Sequence, residues 1–275
     1  MMFSSLVLAE SSGESAKMPT KLKVCADPYM LPFSNKEEQG YENAIAELLA
    51  KKMNMELKYT WFPQRMGFIR NTLKKEVGTS GEYKCDLVIT VPSSFELAAT
   101  TDPYYSTSYY LVYAKGRGLD GLKDPEKLHE YMEKHKPDLK FGVPDRGDPA
   151  QLWAFYQGMM ATGTMVAYQG QPGDPKVNPG ELMMQDIADG KIDAAVIWGP
   201  TAGYYAKKLK DKADFVLLRL RDDVKRNTSM KFTYSMSMGV RYGNKEWKDK
   251  INQELKDNKD AIRKILTDFG VPLVD

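Results

Sequence analysis

The sequence predicts a two-lobed α/β protein in which each lobe is a mostly parallel sheet flanked by helices and two hinge strands join the lobes. Three observations lead there. The 275 residues exceed the usual size of a single core, so two compact units are expected. Strand and helix patterns alternate in two separate blocks, as parallel sheets with crossover helices require. Each block is punctuated by an extended stretch rich in Tyr, Ser and Thr, "TTDPYYSTSYYLVYAKG" (Thr100 to Gly116) and "FTYSMSMGV" (Phe232 to Val240). A strand that runs along a water-filled cleft cannot be wholly apolar, and tyrosine covers area with its ring while its hydroxyl stays hydrated.

The first block opens at Leu22 with "LKVCA" as a strand, "YENAIAELLAKKMN" as an amphipathic helix, "ELKYTWF" as a strand and "MGFIRNTLKKEV" as a second helix. "CDLVITVP" is apolar enough to be buried on both faces, the signature of a central parallel strand. After the first crossing comes a charged helix, capped by Asp124 with Pro125 at its first position. The second block reads "LKFGVP" as a strand, "DPAQLWAFYQGMMATG" as a helix that Asp148 caps, and "MVAYQ" as a strand. "GELMMQDIADG" is a helix, "DAAVIWG" a buried strand, "TAGYYAKKLKDKA" a helix and "FVLLRL" a strand, while "GQPGDPKVNPGE" is a surface loop. Past the second crossing, "NKEWKDKINQELKDNKDAIRKILTDFG" reads as one long helix ended by Gly270 and Pro272. The expected division is residues 21–110 with 236–275 in lobe 1 and 111–235 in lobe 2, with two separate sheets rather than one continuous one.

Residues 1–20 stand apart as a leader remnant or disordered N-terminus. Phe3 to Ala9 is apolar, and Val7 and Ala9 fit a small-residue cleavage pattern, but no basic region precedes them. Apolar residues make up 42% of the chain and charged residues 28%, a globular profile. The net charge of +2 is spread along helices rather than gathered in basic blocks, so no nucleic-acid footprint is expected. No run approaches the roughly 20 apolar residues that span a bilayer, so the chain is not expected to be membrane-integral.

Constellations for catalysis or metal binding are thin. His129 and His135 are six apart, wrong for ligands on one helical face, and no cysteine is adjacent to either. Asp27 and Asp86 lie at strand ends, where turns want Asp. "GRGLDG" (Gly116 to Gly121) spells a dinucleotide motif, but the helix begins only at Pro125, so it reads as a linker. The expectation is a protein that is not an enzyme and carries neither cofactor nor metal.

"CDLVITVPSSFELAATTDPYYSTSYYLVYAKG" and "MMQDIADGKIDAAVIWGPTAGYYAKK" resemble periplasmic solute-binding proteins of the amino-acid-binding type II superfamily. More narrowly, "LKVCADPYMLPFSNKEEQGYENAIAELLAKKM", "WFPQRMGFIRNTL" and "CDLVITVPSSFELAATTDPYY" are similar to the MxaJ/XoxJ group that accompanies bacterial methanol dehydrogenases. The resemblance runs from about Leu22 to the last helix. It implies a periplasmic, non-catalytic binding protein of lanthanide-dependent, methylotrophic methanol oxidation, acting as a partner in maturation or activation of a PQQ-dependent methanol dehydrogenase, whose cofactor and metal belong to that enzyme and not to this chain. The alternative is a transport receptor for a small solute of unknown identity.

One departure bears on the ligand. Amino-acid binders carry, before the "DPYY" exit, an Arg that clamps the ligand carboxylate in two parallel hydrogen bonds, and "SSFELAAT" has none. The loops beyond the carboxyl ends of strands should therefore line an aromatic, proline-rich cleft. They supply Tyr29, Met30 and Phe33 after the first strand, Trp61, Gln64 and Arg65 after the second, and Pro92 and Ser93 after the third, with Tyr104 at the crossing. Asp145, Arg146 and Trp198 come from the second lobe, where Arg146 and the free amides of the following helix could hold an anion unless Asp148 takes them as a cap. Cys25 and Cys85 either bridge or stay as buried thiols. An in-register sheet would hold them too far apart, whereas export and the resemblance favour the bridge.

Overall fold

The computed structural model describes residues 18–79, 81–144, 148–159, 163–169, 174–222 and 230–275. Most of the expected leader, together with Asp145 and Arg146, lies outside the described residues. Lobe 1 is built on β1 (Lys21–Ala26), which pairs in parallel with β4 (Glu56–Trp61) on one side and β5 (Leu87–Pro92) on the other. Between β1 and β4 lie a two-residue hairpin, β2 (Tyr29–Met30) with β3 (Ser34–Asn35), and helix α1 (Tyr41–Met53). Gly40 lets that hairpin sit against the helix start, because a Cβ there would come within 2.0 Å of the Phe33 carbonyl oxygen. Asn43 on α1 accepts from Gly40 N at 3.0 Å and so closes the first turn.

The chain then passes through β6 (Ala99–Thr100) into β7 (Tyr105–Ala114), the first crossing. Lobe 2 holds α3 (Leu128–His135), β8 (Phe141–Val143), α4 (Pro149–Tyr156), β9 (Met165–Ala167), α5 (Pro179–Asp189), β10 (Ala194–Trp198), α6 (Gly199–Lys208) and β11 (Phe215–Arg219). The return crossing is β12 (Thr233–Val240). In each lobe the sheet strands run parallel except the crossings. β10 pairs in parallel with β8 and β8 with β9, whereas β7 is antiparallel to both β10 and β11, and β12 is antiparallel to β5.

The cores divide by lobe. One cluster joins Leu22, Ile45, Leu87, Met238, Trp247 and Leu266. Others join Leu111, Phe141, Trp153 and Phe232, and Val112, Met184, Ile197 and Tyr205. The ladder itself does not divide, which corrects the expectation of two separate sheets. Hydrogen bonding runs unbroken in the order β4-β1-β5-β12-β7-β10-β8-β9. The cause is the crossings, which pair with each other from Tyr105↔Met236 to Ser108↔Thr233 before β7 turns to β10 at Tyr109↔Trp198.

Three helix readings are also corrected. The helix expected over Met66–Val77 is only α2 (Phe68–Asn71), because the Thr72 hydroxyl donates to the Phe68 carbonyl at 2.7 Å and the following residues bridge back as Glu76↔Tyr83. The helix after Asp148 ends at Tyr156, where Gly158 takes a φ of +73°. The long C-terminal helix is two, α7 (Lys245–Asp257) and α8 (Lys259–Asp268), since the buried Asn258 side chain donates to the Glu254 carbonyl at 2.9 Å.

Cys25 and Cys85 are joined, with Cα atoms 5.4 Å apart. The distance objection fails because Cys85 precedes β5 rather than standing in register. Cys25 is opposite Val88, and Asp86 N bonds the Lys23 carbonyl at 2.7 Å, which folds the approach to β5 under β1. Arg241 holds that approach by donating to the Cys85 carbonyl at 2.6 Å and to Asp86 Oδ1 at 2.6 Å. No helix among the described residues is long and apolar enough to cross a membrane.

Candidate functional site

A groove of about 430 Å³ lies where the carboxyl ends of the strands of both lobes meet the crossings. Lobe 1 supplies Met30 and Phe33 from the β2–β3 hairpin and Pro92 from the end of β5. The crossings supply Tyr109, Tyr234 and Met236, and lobe 2 supplies Pro149, Asn178, Trp198 and Thr201. Trp198 is the central ring, with its centroid 4.9 Å from that of Tyr109 at an interplanar angle of 57° and 5.7 Å from that of Tyr234 at 75°.

Two helix starts converge on the groove, each set by a short polar residue followed by proline. Asp148 Oδ1 accepts from Ala150 N at 2.8 Å, and Asn178 Oδ1 accepts from Gly180 N at 3.0 Å. The Asp148 cap expected from the sequence is therefore in place. Its other oxygen receives the Tyr109 hydroxyl at 3.4 Å. Burial first, then the Asp148 charge, pushes the Tyr109 hydroxyl well above its ordinary pKa, and Tyr234 is raised by burial and by Asp148 and Asp222.

The lobes are tied on both sides of the groove. In front, Arg65 Nη2 donates to the Asp174 carbonyl at 2.8 Å, Asn178 Nδ2 to the Leu31 carbonyl at 3.3 Å, and Lys176 Nζ lies 5.4 Å from the centre of the Tyr29 ring. Behind, α6 lies against the end of α8. A Cβ on Gly203 would come within 1.9 Å of the Gly270 oxygen, Tyr204 stacks on Phe269 at 6.3 Å, and Lys207 donates to the Asp268 carbonyl at 2.7 Å. Within lobe 1 the C-terminal tail is held on the first crossing, where Val274 N donates to the Ser106 carbonyl at 2.8 Å.

Of the residues named from the sequence, Met30, Phe33, Pro92 and Trp198 line the groove, and Tyr29 and Arg65 stand at its front tie. Gln64 is exposed, with its backbone N bonded to Asp27. Ser93 is spent on the sheet, where its Oγ donates to the Ser235 carbonyl at 2.9 Å and is 2.7 Å from Ser237 Oγ. Two placements are corrected. Trp61, on the outer strand β4, stacks on Tyr59 at 4.6 Å instead of facing the groove, because β4 is the edge of the sheet. Tyr104 turns inward, with its hydroxyl donating to the Ile89 carbonyl at 3.0 Å and 2.9 Å from Thr90 Oγ1; its other side borders a separate groove with Asp102, Asn252 and Lys256. Missed from the sequence were Tyr109, Tyr234, Met236, Pro149, Asn178 and Thr201. The Asn-Pro step at Asn178 repeats the Asp-Pro step at Asp148 and was the readable signal.

Beneath the groove in lobe 1, the buried Glu42 carboxyl is pushed up to about 8 by burial, with the Thr90 hydroxyl opposing and the Asp27 charge adding to the shift. Asp27 is itself raised by burial, against hydrogen bonds from Gln64 N and Tyr29 N and the charge of Arg65. Asp27 is a turn residue, accepting from Tyr29 N at 2.7 Å, and Asp86 is an ion-pair partner, 2.6 Å from Arg241. Among the described residues no group of three His, Cys, Asp or Glu is placed to hold a metal ion.

No protein-family model matches the chain. The crystal structure of the periplasmic binding protein XoxJ from Methylobacterium extorquens AM1 superposes with a TM-score of 0.70 and 30% identity, over 92% of this chain and 99% of that one. The chain belongs to the XoxJ/MxaJ-type family of periplasmic binding proteins. MxaJ from Methylophaga aminisulfidivorans MPT aligns with a TM-score of 0.74 and 25% identity, covering 92% of this chain and all of that one. Among curated proteins, MoxJ of Paracoccus denitrificans is 25% identical over 261 residues, 93% of this chain and 90% of its own. The family accounts for the two lobes and the cleft between them, which is where the aromatic groove lies.

Proposed function

We propose that this family member is an exported, non-catalytic partner of a PQQ-dependent methanol dehydrogenase, acting in that enzyme's maturation or activation through the groove between its lobes. The lobes in this reading are residues 21–110 with 236–275, and 111–235. The observation that carries it is the groove's lining. Rings, methionines and prolines face it where an amino-acid receptor needs an Arg clamp, which suits an apolar or bulky segment better than a small zwitterion. Periplasmic residence is supported by family membership and by the disulfide, a bond that persists in oxidising compartments. Ties on both sides of the groove support a preformed socket, whereas a transport receptor closes on its solute by hinge motion.

A binding partner that prefers one form of the dehydrogenase stabilises that form by mass action. Pull-down with purified methanol dehydrogenase, with enzyme activity followed alongside, tests this. Association with altered activity or metal loading is expected, and its absence, together with a thermal shift on addition of a small solute, would replace the proposal with the transport reading.

A further inference from the structure

We propose that the Tyr109, Trp198 and Tyr234 rings form a socket for a cationic side chain, a guanidinium or an ammonium, projecting from the protein partner. This deepens the partner reading and rests on it. The groove lining is of two chemical kinds. Met30, Phe33, Pro92 and Met236 are apolar, while Tyr109, Trp198 and Tyr234 are half-buried rings inclined to one another. Behind those rings stands acid, since Asp148 receives the Tyr109 hydroxyl and the charges of Asp148 and Asp222 both reach Tyr234.

None of the lining residues just named is basic. Ring faces are electron-rich and attract a cation placed over them, most strongly in Trp. Arg and Lys combine an apolar stem with a cationic head, which the apolar and the aromatic parts of the lining can each receive. The protein makes such contacts itself: Lys176 lies over Tyr29 at the front tie, and at the socket the exposed Lys231 lies over the Tyr234 ring, 5.4 Å from its centroid, which leaves Trp198 and Tyr109 as the rings with no cation of this chain placed over them among the described residues.

A side chain fits better than a free solute for a further reason. Apart from the tyrosyl hydroxyls and the Trp198 indole N–H, the lining offers as polar side chains Asn178 and Thr201, and Asn178 is occupied by its cap and by the Leu31 carbonyl. Little remains to hold the far end of a free molecule, so that end belongs outside the groove, carried by a backbone.

The test uses the full chain and the Trp198 indole N–H resonance, titrated with N-acetyl-arginine amide, its neutral isostere N-acetyl-citrulline amide, and tetramethylammonium. The expected result is millimolar binding of the arginine amide, with the citrulline amide at least about tenfold weaker. Tetramethylammonium should bind no tighter than the arginine amide. Because W198L removes its own reporter, the variants are read by calorimetry. W198L should abolish binding and W198F weaken it, while W61L, outside the groove, should leave it unchanged. Equal binding of the two amides, no binding of the arginine amide, indifference to W198L and W198F, or tetramethylammonium at least about tenfold tighter than the arginine amide would each overturn the proposal. Loss of cation preference with association to the dehydrogenase intact would remove the socket and leave the partner reading standing.

Discussion

Replacing Glu42 by Gln should stabilise the protein in a strongly pH-dependent way. Glu42 is 6% exposed in the first turn of α1, facing the Thr90 hydroxyl, the Asp27 carboxylate and the tyrosines at the start of β7. Its carboxyl is raised from 4.5 to about 8, so the folded protein keeps a proton that the unfolded chain releases. The sign follows from linkage. The contribution of Glu42 to stability is complete below pH 4.5 and is lost as pH rises to 8, at about 1.4 kcal/mol per pH unit. The loss reaches roughly 3 kcal/mol at pH 7 and roughly 4 kcal/mol at pH 8. Gln imitates the protonated acid in shape and does not titrate. Urea unfolding of both proteins at pH 4, 5.5, 7 and 8 should show similar stabilities at the lowest pH and a growing advantage for E42Q above it. A difference that stays constant across that range, or one that favours the wild type at pH 8, would refute the assignment of a buried neutral acid.

Reduction of the Cys25–Cys85 bridge, or C25A/C85A, should cost roughly 4 kcal/mol by the loop-entropy argument for a separation of 60 residues, read as a lower Tm; an unchanged Tm would remove the bridge from lobe 1's stability. Gly203→Ala should destabilise by ~2 kcal/mol or more although alanine is the better helix former, because its methyl meets the Gly270 carbonyl. A rise in Tm would show that α6 and α8 are not in contact. Arg65→Ala should change global stability by no more than about 1 kcal/mol while amide exchange quickens over Asp174 to Asn178, and unaltered exchange there would argue against the front tie.

The fold was legible because its long-range architecture has local markers. Tyrosine-rich crossings, buried apolar strands and proline at the first helical position after Asp124 and Asp148 each report a distinct physical constraint. The helix ends that were misread depend on side chains bonding their own backbone, as Thr72 and Asn258 do, and periodicity is blind to that competition. The groove was legible where a loop follows a strand, and Met30, Phe33, Pro92 and Trp198, named on that rule, line it. It was not legible on the crossings, where Tyr104 and Tyr109 differ only in which way the strand turns them: one hydroxyl is buried under the sheet and the other ring opens on the groove. Tyr59 on β4 and Asn43 on α1 illustrate the same limit, since they lie side by side, each with a buried polar atom lacking a well-formed partner, a juxtaposition that no sequence pattern announces.

The central claim is that the aromatic groove between tied lobes is the contact site for the dehydrogenase. The most direct measurement is the binding isotherm of purified methanol dehydrogenase with the wild-type chain and with W198L. The account predicts saturable binding to the wild type and at least a tenfold loss with W198L, on the order of the contribution of one central buried aromatic anchor. Equal affinities for the two proteins, or no association with either, would contradict it.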